Sequence, residues 1–170
     1  FLATALAINL PIILLNPSGW FYFFRFNSER NSNPDSIWTI FRFLFGEINI
    51  TTINLVSFLL FASTFLFVLW RYRNADVLKL CLAGTILFLL FNKVFSPQYT
   101  LRLLPFFVLV IPPQKIWFYI LEFSNIASLF IILPWYLLGH EIFYFYLAIP
   151  FVTLRHLALG VTLLRVFKSI

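Results

Sequence analysis

Charge is scarce in this sequence. Only 11% of the residues are Asp, Glu, Lys or Arg, against 62% that are hydrophobic and 21% that are aromatic. Side chains in those proportions cannot cover a water-soluble globule of 170 residues, even with the apolar area that ordinary surfaces expose. The expected solvent is lipid. Methionine is absent, and residues 1–15 read as the interior of a hydrophobic helix, with neither a basic leader nor a small-residue cleavage site. We therefore expect that an upstream part precedes this stretch. The single cysteine, Cys81, excludes a disulfide framework or a cysteine metal site built within the chain. No glycine-rich phosphate loop, no Gly-x-Ser-x-Gly elbow and no His-Glu-x-x-His helix occurs, which argues against soluble-type nucleotide chemistry. Internal repeats and low-complexity tracts are missing too.

What the sequence does have is a series of apolar runs. A hydrocarbon core about 30 Å thick takes about 20 apolar helical residues to cross, so the runs predict an all-α, polytopic transmembrane bundle of about five or six membrane segments. Residues 1–16 form the first helix, ending in the turn formers Asn16-Pro17-Ser18-Gly19. Residues 17–50 mix aromatic and charged side chains and predict a long external amphipathic loop lying at the interface. Within it, 20–26 and 37–45 read as short helices around a polar turn at 27–36. Further membrane segments are expected at 51–71, 77–93, 98–112, 116–138 and 142–164, all within one membrane domain. The 98–112 run is short and carries Arg102 and Pro105, which makes it a thin crossing or a re-entrant segment. Pro134 is placed to kink the next segment, and Pro112-Pro113 predicts a tight cytoplasmic turn.

The net charge of +6 is spread over the ends of apolar runs rather than along one stripe, so no nucleic-acid partner is expected. With residues 16–50 outside, Arg71, Arg73, Lys79, Lys115, Arg165 and Lys168 fall on or near the cytoplasmic side, against Arg25, Arg30 and Arg42 in the outer loop. Basic residues inside favour that orientation and put residues 93–99 on the outer face.

Ionisable side chains at the edge of or within hydrocarbon need a partner, a wet cavity or a snorkelling route, which singles out Lys93, Arg102, Glu122, Arg155 and His156. Lys93, Ser96, Gln98 and Tyr99 gather an ammonium, a hydroxyl, a carboxamide and a phenol in one short stretch. That donor set suits a phosphate or sugar hydroxyls. From composition alone the commoner pattern is a snorkelling lysine followed by a Ser-Pro helix start. Arg155 lies mid-run, where a guanidinium could clamp a phosphate in a wet cavity or pair with Glu122 or an upstream carboxylate. Arg25, Asn27, Glu29 and Arg30 stand between aromatic stretches, as in a sugar-binding lip or an ordinary solvated turn. His140 and Glu141 lack metal-ligand spacing.

The stretch Asn92-Lys93-Val94-Phe95-Ser96-Pro97-Gln98-Tyr99, followed by Leu103-Leu104-Pro105, resembles a signature of glycosyltransferase family 87 of the membrane-embedded GT-C class. Gly19-Trp20, Phe26-Asn27-Ser28-Glu29-Arg30 and Ser36-Ile37-Trp38 look like that family's long outer loop. Leu154-Arg155-His156-Leu157 is similar to its Ala-Arg-Asn-Leu type tail. The matches occur in the family's order over nearly the whole chain. His156 departs from the usual Asn, and Arg102 from a commoner aromatic residue.

The resemblance implies a hexosyl- or pentosyltransferase that takes mannose, arabinofuranose or a similar sugar from a polyprenyl phosphate. It further implies a glycan or glycolipid acceptor, inversion at the anomeric carbon, and an outward-facing site in a bacterial plasma membrane. Lys93, Ser96, Gln98, Tyr99 and Arg155 become the donor-phosphate side, and Arg25, Asn27, Glu29, Arg30 and His156 the acceptor or sugar side. The general-base carboxylate is expected upstream, so no catalytic residue is assigned here. No cofactor or metal is demanded, because cationic side chains can match the lipid phosphate; a divalent ion from an upstream part is left open. Two other classes share a cationic membrane cavity: a transporter or lipid flippase, and a non-catalytic subunit that binds lipid-linked glycan.

Overall fold

The structure is a computed structural model that describes residues 2–109, 116–139 and 141–169. Lys115, the Pro112-Pro113 turn and His140 lie outside the described residues. Every regular element among the described residues is helical. The chain divides into two compact units, Phe1–Asn31 and Ser32–Ile170.

In the first unit, α1 (Leu2–Leu15) and α2 (Pro17–Glu29) meet at a sharp bend of 107°. Asn16 makes the break: its side chain accepts from the Gly19 N–H at 2.8 Å, and Pro17 starts the new helix where no N–H is needed. Trp20 Nε1 donates to Asn9 Oδ1 at 3.0 Å, which ties the two helices across the bend. The polar turn expected from residue 27 begins later, because α2 continues to Glu29. Asn27 and Ser28 do not compete with the helix here; their side chains bond back to the carbonyls of Phe23 and Arg25.

The second unit contains α3 (Trp38–Phe45), α4 (Ile50–Arg71), α5 (Val77–Phe91), a 3₁₀ helix (Pro97–Leu103), α6 (Leu104–Leu109), α7 (Ile116–Ala127), a π-helical turn (Ser128–Ile132), α8 (Leu133–Leu137) and α9 (Glu141–Ser169). Local chemistry sets the starts. Asn49 caps α4 through the Thr51 N–H at 2.7 Å, and Asp76 caps α5 through the Leu78 N–H at 2.7 Å. The run expected at 98–112 is two short pieces, the 3₁₀ helix and α6. The run expected at 116–138 is interrupted by the π-helical turn just before Pro134, so the backbone adjusts ahead of the proline.

α9 packs against α3, α5 and α7. Leu82, Ile86 and Leu89 of α5, Leu103, Leu121 of α7 and Leu159 of α9 meet in one core with at most 1% exposure. α4 is different: it touches α5 along one side, while Leu55, Phe58, Leu66 and Phe67 are all more than half exposed. An apolar helix left bare on that scale is suited to lipid.

Among the described residues two helices, Ile50–Arg71 and Tyr146–Ser169, are long and apolar enough to cross a membrane, and the bent α1–α2 pair would add a third if it counts as one span. Val77–Phe91 and Ile116–Ile131 are apolar but shorter. At 15 residues α5 is about 22 Å long, short of a hydrocarbon core of about 30 Å.

Candidate functional site

Four separate pieces of the second unit converge near the end of α5 that leads into residues 92–96. The first is the polar run at 32–36, which the sequence presents as a solvated turn. Asn33 grips the backbone around Lys93-Val94-Phe95 on both sides. Its backbone N–H donates to Lys93 O at 3.1 Å, its Oδ1 accepts from the Phe95 N–H at 2.9 Å, and its Nδ2 donates to Phe95 O. Paired backbone bonds of this kind resemble one rung of a sheet, built here by a side chain. Asn92 Oδ1 accepts from the Val94 N–H at 3.1 Å, so the peptide following Lys93 is held as well. Ser36 and Thr39 lock the run itself: their hydroxyls donate to Asn33 O at 2.8 Å and to Pro34 O at 2.7 Å.

The second piece is Arg155 of α9, whose side chain is completely buried. Its guanidinium donates to Asp35 Oδ1 at 3.1 Å, to Asp35 O at 3.3 Å and to Ser124 O of α7 at 3.4 Å, and its Cζ lies 4.6 Å from the centre of the Phe95 ring. Ser128 donates to the same Asp35 oxygen at 2.5 Å. Among the described residues the carboxylate that pairs with Arg155 is Asp35 rather than Glu122: the loop folds back onto α9 and brings its own anion. Glu122 is half-buried, and its Oε1 has no hydrogen-bond partner among the described residues.

Beside Arg155, His156 is 7% exposed, with Nδ1 2.8 Å from Val152 O and its ring 5.7 Å from that of Phe95. With Nδ1–H donating to that carbonyl, Nε2 is left as an acceptor, and it has no partner among the described residues. Asn125 of α7 donates to Thr100 Oγ1 at 2.9 Å while its own Oδ1 is likewise unmet.

The third piece is a pocket of about 220 Å³ between α4 and the end of α5, in which Lys93 meets Asn92 together with Asn54 and Ser57 of α4. Phe58, Phe61, Phe88 and Phe91 supply its apolar walls. Trp38 Nε1 donates to Ser57 Oγ at 2.9 Å and so fastens α3 to this wall. Lys93 itself is 9% exposed. An ammonium, two amides and a hydroxyl in a ring-lined pocket can hold an anionic or polyhydroxylic group, with charge-assisted bonds from the lysine.

The fourth piece is the 3₁₀ helix itself, which starts at Pro97 with Ser96 at its N-cap and no side-chain cap bond. Gln98 is exposed, Ser96 and Tyr99 are half-buried, and Tyr99 carries Arg102 over its ring at 4.9 Å.

Of the residues expected on the acceptor side, Arg25, Asn27, Glu29 and Arg30 belong to the first unit. There Arg25 Nε pairs with Glu29 Oε1 at 2.8 Å on the exposed surface of α2, and Asn27 bonds within the helix. Among the described residues no group of three or more His, Cys, Asp or Glu is placed to hold a metal ion.

Sequence reasoning passed over Asn33, Asp35, Asn54 and Ser57. Asn54 and Ser57 had a usable signal, being polar residues three apart, and so on one face, within an apolar span. Asn33 and Asp35 had none, since their partners lie 62 and 120 residues away. No family model matches this chain, and no curated protein or solved structure matches it either.

Proposed function

We propose that this chain belongs to a multi-pass membrane protein and forms the lipid-carrier side of a glycosyltransferase, which moves a sugar such as mannose or arabinofuranose from a polyprenyl phosphate to a glycan or glycolipid at the outer membrane face. The observation that carries this reading is the pocket at Lys93. A buried cation, its backbone fixed on both sides by Asn33, faces a small cavity with amide and hydroxyl partners and aromatic walls at the end of an apolar helix. A phosphate that carries a sugar on one side and a hydrocarbon chain on the other needs that combination: fixed positive charge for the leaving phosphate, hydrogen bonds for hydroxyls, and a route into lipid. In this reading Arg155 is a positioning residue. It holds Asp35, and through the 32–36 run it holds Asn33 and Lys93; direct contact with phosphate would require Asp35 to yield its place. Ser96, Gln98 and Tyr99 follow Lys93 in the connection to the 3₁₀ helix and its first turn, outside the pocket lining, and His156 stands beside Arg155 with its Nε2 buried, as part of the brace rather than of the pocket.

The test is sugar transfer from a polyprenyl-phosphate donor by the full-length protein in vesicles. Lys93→Ala should cut transfer by at least tenfold while membrane insertion stays intact, the scale of one lost charge-assisted bond at about 1.4 kcal/mol or more. Wild-type turnover in that variant would sink the phosphate role. Donor binding without any transfer would favour the non-catalytic lipid-linked-glycan-binding subunit, and donor movement between leaflets the flippase.

A further inference from the structure

A second cavity, of about 650 Å³, runs between α4 and α5 on the far side of Phe61 and Phe88, the rings it shares with the Lys93 pocket. Phe65, Leu80, Cys81 and Gly84 line its length and Arg102 stands on its wall. Gly84 lets the Phe65 ring of α4 close onto α5 along this wall, since a Cβ there would lie 2.8 Å from the ring. The volume is that of an ordinary small-ligand site, but the lining is mostly apolar: besides the cation it holds the Cys81 thiol and Thr85, whose hydroxyl donates to Cys81 O at 2.8 Å.

Two features name the occupant. The first is length. Its lining residues on α5 run from Val77 to Phe88, eleven helical steps or about 16 Å, against about 15 Å for the hydrocarbon of one leaflet. A single acyl chain fits that run; a long polyprenyl chain exceeds it. The second is charge. Arg102 is exposed, and among the described residues no carboxylate pairs with it. Its guanidinium turns back over the Tyr99 ring, one 3₁₀ turn nearer Ser96, and so toward the membrane face at that end of α5 rather than the bilayer centre. An exposed guanidinium without a carboxylate partner on the wall of an acyl-length groove is the arrangement that a phospholipid phosphate completes, because guanidinium and phosphate match bidentately.

We propose that this groove is a specific site for one anionic phospholipid, with its phosphate on Arg102 and one acyl chain along α4 and α5, next to the Lys93 pocket but distinct from it. The inference rests on membrane embedding alone and not on glycosyl transfer.

Cys81, the only cysteine in the sequence, is exposed on the groove wall and reports on its occupancy. The full-length protein, with any cysteines outside this stretch replaced, is placed in vesicles of phosphatidylcholine alone or of an equimolar mixture with phosphatidylglycerol. Alkylation of Cys81 by a membrane-permeant maleimide should be roughly tenfold slower in the mixture, the scale of one hydrogen bond to a charged group. Arg102→Gln should abolish the difference and Arg102→Lys restore part of it. As a second readout, phosphatidylglycerol retained by the detergent-purified protein should fall in Arg102→Gln. Equal alkylation in the two vesicles together with equal lipid retention by Arg102→Gln would overturn the site. Stronger protection by added polyprenyl phosphate than by phosphatidylglycerol would overturn it as well, and give the groove to the donor's tail. Loss of transfer in Lys93→Ala leaves all of these outcomes unaffected, so the two readings fail separately.

Discussion

Two of the three arginine–carboxylate pairs among the described residues look alike on paper and behave differently in space. Arg25–Glu29 closes at 2.8 Å along one turn of α2, with side chains 77% and 63% exposed. Arg155–Asp35 closes at 3.1 Å across 120 residues, with exposures of 0% and 18%. The first is a local pair in a screened setting, where water competes for both charges. The second lies out of water, joined by Ser128, Ser124 and the Phe95 ring, where losing one partner strands the other. Distance does not separate them; the surroundings do. The site is assembled around the second.

That contrast can be broken or sharpened by substitution, read as the unfolding midpoint of the protein in detergent. The largest effect is expected from Asp35→Ala, which takes the carboxylate away from a fully buried guanidinium and should cost about 3–5 kcal/mol. Replacing both partners by apolar residues, Arg155→Met with Asp35→Leu, should recover much of that loss. A double variant as unstable as the single one would mean that the pair itself is not the source. Asn33→Ala comes next, because the Phe95 N–H and C=O lose their partner together, for about 1–3 kcal/mol. Trp38→Phe removes one bond to Ser57 and should cost about 1 kcal/mol. Arg25→Ala should leave the midpoint unchanged, and any clear shift there would erase the distinction between the two pairs.

Much of the helical layout is legible in the sequence, and the reasons are local. Asn49 and Asp76 stand at the starts of apolar runs, and the chain turns at Asn16-Pro17 as those residues predict. The extents of α4 and α5 follow from hydropathy and caps alone. What local reading misses is where a backbone or side chain answers to something distant. The run at 31–36 is rich in Asn, Ser, Pro and Asp, a composition that serves a solvated turn and a buried brace equally well. Only the arrival of Arg155 and the Lys93–Phe95 backbone makes it the latter. The number of crossings is hard to read for a related reason: apolar runs such as Val77–Phe91 and Ile116–Ile131 are set by packing against α9 as much as by lipid, so hydropathy overstates how many are long enough to span. Arg155 itself stood out, but its mid-run position could not say which carboxylate would meet it.

The brace between Asp35 and Arg155 also sets a schedule. A ribosome adding about 5–20 residues per second needs on the order of 6–24 s to travel from one partner to the other. Throughout that interval Asp35 and Asn33, and for its second half the Lys93 segment too, exist without the helix that fastens them, so the site takes its folded form as a late event of biogenesis. A defect in the insertion of α9 would therefore show itself first as a failure far upstream, at a lysine that was threaded correctly many seconds earlier.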